Sequence, residues 1–452
     1  MTEGDPVSRI IIFTIPMLLG NIAQQFYSTV DSIIVGRFVG DNALAAVGSA
    51  MPILNLMFVL FMGISVGASI MVSQYFGARQ REELSQAIGC CFTLTLISSA
   101  IIMIVGPLIA HPLLKLLGTP ESILAWCASY LTILFLGILG NGLYNILSGV
   151  LRGVGDSMSA LRYLLIATVI NIILDYVFVK YLALGVAGVA WATVIAQAIS
   201  ALLIIAKLLR MKDVFDFTRQ YLWPKKHYVD SLARLGLPSG VTQAIISMSM
   251  IVVQSLTNSF GEQYIAANVI VMRIDGFVML PAFSFGSAMT TYTGQNIGAN
   301  RMDRVLTGTK RTTFVAMGIS TALTILILAF GRHLMAIFTE TPTLIEMSYH
   351  CMCILAPGYI AMEVMQCLSG TMRGAGDTLT PMWISVLNSV IIRVPLAYLL
   401  VFLTKTPELP QGNCYMMQVS LVLTWMIGAL INFICYRAGR WKGKAIVDRP
   451  DV

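Results

Sequence analysis

Two stretches of this chain recur at one fixed distance. Gln74-Tyr75-Phe76-Gly77-Ala78 returns as Gln295-Asn296-Ile297-Gly298-Ala299, and Leu147-Ser148-Gly149-Val150-Leu151-Arg152-Gly153-Val154-Gly155-Asp156 returns as Leu368-Ser369-Gly370-Thr371-Met372-Arg373-Gly374-Ala375-Gly376-Asp377, each 221 residues later (295 less 74, 368 less 147). Gly40 and Gly261 keep the same spacing. Separate motifs that share one offset mark an internal duplication, so both halves must adopt the same fold. In membrane chains, such duplication is the usual build of secondary transporters.

Charged residues make up only 11% of the 452 and hydrophobic residues 57%, whereas a soluble domain carries about 25% charge. Apolar runs recur at about 10–36, 43–73, 86–110, 123–151, 161–182 and 188–209, then at about 235–259, 264–293, 311–331, 346–371, 381–402 and 414–436. Each is near or above the ~20 residues that cross a bilayer as helix. The expected fold is therefore an all-α membrane protein with twelve transmembrane helices in two six-helix bundles. Six spans return the chain to its starting side, so the bundles are related by a pseudo-twofold axis along the membrane normal. The expected organisation is a first bundle over 1–210, a polar cytoplasmic linker over 211–234, a second bundle over 235–437 and a cytoplasmic tail over 438–452.

Orientation follows from Lys and Arg. Of the 29 such residues, Arg37, Lys115, Lys180, Arg332 and Lys405 fall on one side, Arg273 and Arg393 lie inside spans, and the other 22, from Arg9 to Arg449, fall on the side of the termini. Both termini are thus expected in the cytoplasm and the chain in the cell inner membrane as a multi-pass protein. The net charge of +7 is a consequence of topology and implies no nucleic acid. The first apolar run lacks a small-residue cleavage site and contains Gln24, Gln25 and Asp31, so it stays as a span. The eight cysteines lack metal-site spacing and read as small buried hydrophobes. No His-Glu-x-x-His and no Ser/Lys pair suggests an enzyme. The Arg-Gly-Val-Gly-Asp and Arg-Gly-Ala-Gly-Asp segments lack the Gly-Lys-Ser/Thr of a phosphate loop and read as tight turns whose Asp156 and Asp377 cap the next helix. Without an ATPase module, transport has to run on a gradient, with no cofactor.

Ionisable groups inside a span are costly and are functional candidates. Those here are Asp31, Asp175, Asp275, Glu363, Arg273 and Arg393. Gly20, Gln24, Tyr27 and Asp31 lie on one face of the first span, Thr168, Asn171 and Asp175 on one face of the fifth, and Thr193, Gln197 and Ser200 on one face of the sixth. Asp31, Asp175 and Thr193 fall at matching depths in the outer half of the first bundle. Two carboxylates with an amide and a hydroxyl suit a small hard cation such as Na⁺, and in a dry site the same carboxylates take up H⁺, so the two ions compete. The second half does not copy the cluster: the offset of 221 carries Asp31 to Val252, and aligning Asn171 with Asn388 puts Asp175 at Ile392, next to Arg393. Glu363 and Arg393 lie at similar depth and read first as a structural ion pair, with Arg273 and Glu363 as the other allowed pairing. Gln243, Ser247, Met250 and Gln254 form an uncharged polar stripe on the seventh span, suited to a cavity wall or to a helix contact.

These residues resemble one family. The two six-helix repeats, Pro16 and Asp31 in the first span, the Leu-Arg-Gly-Val-Gly-Asp turn and Asn171-Ile172-Ile173-Leu174-Asp175 in the fifth are similar to the multidrug and toxic compound extrusion (MATE) transporters, in particular the DNA-damage-inducible (DinF-like) branch. The resemblance implies export of cationic or amphipathic small molecules against inflow of H⁺ or Na⁺ by alternating access, with a central cavity between the bundles. It implies cation binding at Asp31, Asn171, Asp175 and Thr193 and bending of the first helix at Pro16. A monomer is expected. The alternative is a flippase or exporter of a lipid-linked or endogenous metabolite, whose strongly cationic cavity would have only Arg273 and Arg393 to draw on.

Overall fold

The computed structural model describes residues 1–447; 448–452, with Arg449 of the tail, lie outside the described residues. Twelve helical spans follow one another: α1 (Pro6–Phe38), α2 (Asp41–Gly77), α3 (Arg81–Leu116), α4 (Glu121–Leu136 and Ile138–Gly153), α5 (Ser157–Tyr181), α6 (Gly185–Arg210), α7 (Lys226–Asn258), α8 (Glu262–Gly298), α9 (Met302–Ala336), α10 (Pro342–Gly374), α11 (Leu379–Leu403) and α12 (Met416–Ala438). No strand occurs among the described residues. α2 has no charged residue after Asp41 in its 37 residues. α4 bends by 53° at Gly137, where a Cβ would lie 2.2 Å from Val194 Cγ2 of α6. Side chains such as Ile104, Leu108 and Ile251, each about 70% exposed, face outward as a lipid-facing surface requires.

The duplication is reproduced in the backbone. Gly155 and Gly376 both hold φ at 95°, a conformation that side chains resist. Asp156 Oδ1 accepts from Ser159 N at 2.9 Å and Asp377 Oδ1 from Thr380 N at 3.2 Å, so both turns are helix-capping turns as their sequence suggests. The same holds for packing: a Cβ on Gly149 of α4 would lie 2.5 Å from the Ser65 carbonyl of α2, and one on Gly370 of α10 would lie 2.2 Å from the Gly286 carbonyl of α8. All four positions keep the 221-residue offset (370 less 149, 286 less 65). Backbones this close exclude any side chain at the crossing.

The chain divides into two compact units, 15–240 and 1–14 with 241–452. The boundary differs from the one expected from the apolar runs, for two physical reasons. The first residues are held by α9, with Arg304 Nη2 donating to the Gly4 carbonyl at 2.9 Å and Arg311 3.6 Å from Asp5. The first turns of α7 press on α2 through glycines, since a Cβ on Gly63 would meet Gly240 N at 2.8 Å and one on Gly67 would meet Gly236 N at 2.8 Å. The division thus falls within two helices, beside Pro16 in α1 and beside Pro238 in α7. Each proline removes one helical hydrogen bond there.

The connection between α6 and α7 is shorter than the 211–234 expected, because α7 begins at Lys226 with two polar turns. It is sutured to α3. Arg81 donates to both Asp216 oxygens at 2.8 and 2.9 Å and to the Asp213 carbonyl at 3.1 Å; Gln86 Nε2 donates to the Tyr221 and Trp223 carbonyls at 3.2 and 2.7 Å, and Thr93 Oγ1 to Leu222 at 2.6 Å. The Arg81 guanidinium holds the Asp216 carboxyl below its ordinary range. A lowered carboxyl value stabilises the latched form above the ordinary carboxylate range, and the effect is lost as pH falls through the lowered value. Arg81→Ala is accordingly expected to speed amide hydrogen exchange over 211–217 severalfold at neutral pH, and to do so less in acid strong enough to protonate Asp216, where only the bonds from Arg81 to backbone carbonyls remain to be lost; hydrogen exchange of both proteins at each pH measures the difference.

Candidate functional site

The candidate site lies in the unit of residues 15–240. Asn171 and Asp175 stand one turn apart on α5, and both are 0% exposed. Asp31, partly buried, faces them from α1. Oriented so that its polar atoms are satisfied, the Asn171 amide donates from Nδ2 to Asp31 Oδ1 at 2.9 Å and to Asp175 Oδ2 at 3.1 Å. One amide thus bridges two carboxyl groups on different helices. Asp175 Oδ1 is buried without a hydrogen-bond partner. Thr193 of α6 enters the group through Tyr27, one turn before Asp31, whose hydroxyl donates to Thr193 Oγ1 at 3.3 Å.

Two carboxylates this close in a water-poor site repel each other, and a proton on one or a cation between them relieves the repulsion. Among the described residues no group of three or more His, Cys, Asp or Glu side chains converges as a transition-metal site would require. Tyr130 of α4, 5% exposed, lies within electrostatic reach of both Asp31 and Asp175 and adds a phenol to the wall. Sequence reasoning missed it; its signal was a tyrosine amid the apolar residues of the first half of the fourth span.

Other expected residues lie elsewhere. Gln24 is exposed, although it shares a helical stripe with Tyr27 and Asp31. Gln243 is exposed, and Gln254 Nε2 donates to Asn258 Oδ1 at 2.9 Å along its own helix. Glu363 is 2% exposed with Oε2 unpartnered, and the ion pair expected with Arg393 is absent: no ion pair among the described residues involves Glu363, Arg273 or Arg393. Arg393 and Tyr359 of α10 instead lie within electrostatic reach of Asp275. The reason is local. Residues Leu387–Ile392 form a π-helical stretch, and the wider turn rotates Arg393 away from the direction that α-helical spacing assigns to it. Arg273 is exposed.

A duplicated bundle of twelve apolar helices with a buried two-carboxyl cluster defines a polytopic membrane transporter. The family model MatE matches residues 16–177 and again 238–399, once per repeat. The chain is 32% identical over 401 residues, 87% of each chain, to the probable multidrug resistance protein YoeA of Bacillus subtilis (strain 168), and 28% identical to the probable multidrug resistance protein YpnP of the same organism over 98% of this chain and 97% of the other. Its fold matches the outward-facing conformation of a multidrug resistance MATE family transporter of the MOP superfamily with a TM-score of 0.89 at 25% identity, over 96% of each chain. The chain belongs to the MATE family, whose members are transporters and not enzymes.

Proposed function

We propose that the chain is a secondary antiporter that exports cationic or amphipathic small molecules, including drugs, in exchange for H⁺. The observation that carries this reading is the Asp31–Asn171–Asp175 bridge. Asn171 joins two carboxyl groups from different helices, and in a water-poor site a proton taken up by one of them relieves the repulsion between their charges; a small hard cation such as Na⁺ competes for the same oxygens. Asp175 Oδ1 is the open position. A proton arriving there removes a charge while Oδ2 keeps its bond to Asn171. The names of the relatives, which describe multidrug resistance, support the cargo class. In this reading Asp31 and Asp175 hold the coupling ion, Asn171 and Thr193 position them, and Pro16 lets α1 bend as their charge changes.

The rest follows from linkage. Proton and cargo must bind the two facing states with opposite preference, because a ligand that does not discriminate between states moves no equilibrium. The membrane potential adds roughly 2.3 kcal/mol per charge per 100 mV. The protein is proposed to act as a monomer of the DinF-like branch in the cell inner membrane, with both termini cytoplasmic. The test is efflux of a fluorescent organic cation from proteoliposomes under an imposed pH gradient, with and without Na⁺. Export driven by the pH gradient and slowed by Na⁺ is the expected result. Export driven by Na⁺ alone reassigns the ion, and no gradient-driven export at all overturns the antiporter in favour of a flippase or metabolite exporter.

A further inference from the structure

At the far end of α1 and α5 from their N-termini, three aromatic rings lie within 6 Å of one exposed ammonium. Lys180 Nζ lies 4.6 Å from the Tyr176 ring centroid, 5.7 Å from that of Tyr181 and 5.9 Å from that of Phe38, all within the range of cation–π attraction. The rings brace one another edge to face, Phe38 against Tyr176 at 5.7 Å and Tyr176 against Tyr181 at 5.9 Å. Lys180 Nζ also hydrogen-bonds the Tyr176 hydroxyl.

A helical anomaly builds this cage. Residues five apart do not share a face of an α-helix. Val177–Tyr181 is π-helical, with Leu182 N donating to the Val177 carbonyl at 3.1 Å, and i→i+5 bonding brings Tyr181 to the same face of the helix as Tyr176. Phe38 reaches the same point from α1, seven residues and two turns beyond Asp31. Tyr176 directly follows Asp175. The cage therefore stands on the two helices that carry the carboxyl cluster. Tyr181 is 69% and Phe38 47% exposed, so it is open on one side.

We propose that Phe38, Tyr176 and Tyr181 form a binding site for an organic ammonium, and that Lys180 is a tethered competitor that occupies it at rest. Resting on the proposed export of cationic compounds, this makes the cage an exit subsite. A cargo cation meets the rings after the carboxyls, and the returning Lys180 ammonium displaces it, which keeps affinity low where release is required. The recognising chemistry, a quaternary or tertiary ammonium against aromatic faces, is shared by a soluble compound and by a choline headgroup.

The experiment is saturation-transfer NMR of tetramethylammonium with the full chain in nanodiscs of phosphatidylglycerol and phosphatidylethanolamine. Lys180→Met is expected to tighten tetramethylammonium binding about tenfold, the scale of one displaced cation–π contact set. Adding Tyr176→Leu or, where that variant does not elute as a folded species, Phe38→Leu is expected to remove the gain. Equal affinity in wild type and Lys180→Met overturns the proposal, as does tight binding that survives loss of the ring. Nanodiscs containing phosphatidylcholine separate the sources: tetramethylammonium binding to Lys180→Met that vanishes there assigns the cage to a headgroup, and binding that persists assigns it to soluble cations. Binding needs no gradient, so a failure of the transport reading leaves this readout intact.

Discussion

Asp175→Asn is expected to yield a folded protein that binds an organic cation and does not accumulate it against a gradient. Asp175 is wholly buried and one of its oxygens already bonds the Asn171 amide, so the isosteric amide fills the same space while giving up the charge that a coupling proton would neutralise. The substitution mimics the protonated state permanently. In wild type, dye affinity should change between low and high pH by about 5–150-fold, the usual span of a coupling free energy. In Asp175→Asn that pH dependence should collapse towards unity, with affinity fixed near the low-pH value. Asp31→Asn, on a partly buried residue, should do the same with a smaller residual dependence, and the double variant should be no worse than Asp175→Asn alone, because two groups on one amide act as a unit. Dye titration by fluorescence anisotropy across pH, beside efflux from proteoliposomes, reads both quantities. A pH dependence undiminished in Asp175→Asn would move coupling elsewhere, with buried Glu363 the first place to look.

What the sequence revealed and what it concealed divide along a physical line. Span positions were legible because a bilayer imposes apolar length on a helix, and the duplication was legible because close helix crossings demand glycine at Gly149 and Gly370 whatever the rest of the repeat becomes. The Asp31, Asn171 and Asp175 meeting was legible because α-helical spacing fixes which residues share a face and span position fixes depth. Where the helix stops being α, the same reasoning fails. The π-helical stretch at Leu387–Ile392 turned Arg393 towards Asp275 and left Glu363 without the expected partner. The one at Val177–Tyr181 assembled an aromatic cage that no 3.6-residue stripe could indicate. The suture of the connection to α3 was hidden for another reason: Gln86 and Thr93 bind backbone carbonyls, and carbonyls are present at every residue. Gln24 shows the limit of a stripe, which assigns a face without saying how far along the helix that face stays covered.

Gly370→Ala is expected to damage the fold severely, and Gly318→Ala to cost nothing. At Gly370 the added Cβ would sit 2.2 Å from the Gly286 carbonyl oxygen and 3.0 Å from its carbonyl carbon. Both are backbone atoms of α8, so no rotamer change gives relief and the two helices must separate. Adding one carbon to a full interior costs about 1–3 kcal/mol when side chains can yield; here they cannot, and the loss should reach or exceed the upper figure. The equivalent Gly149→Ala meets the Ser65 carbonyl at 2.5 Å, a less severe approach, and the Ser65 hydroxyl at 2.6 Å, which can turn only by giving up its bonds to the Asn145 carbonyl and Arg152, so a loss smaller than at Gly370 but still substantial is expected from the other copy of the same crossing. Gly318 of α9 has nothing within 4 Å of the point an added methyl carbon would occupy, and alanine there gains helix propensity of up to about 1 kcal/mol. The order of unfolding temperatures in detergent should therefore run Gly318→Ala at or above wild type, then Gly149→Ala, then Gly370→Ala. A Gly370→Ala protein as stable as wild type would mean that α8 and α10 do not touch backbone to backbone, and the correspondence between the two repeats would then hold in sequence but not in packing.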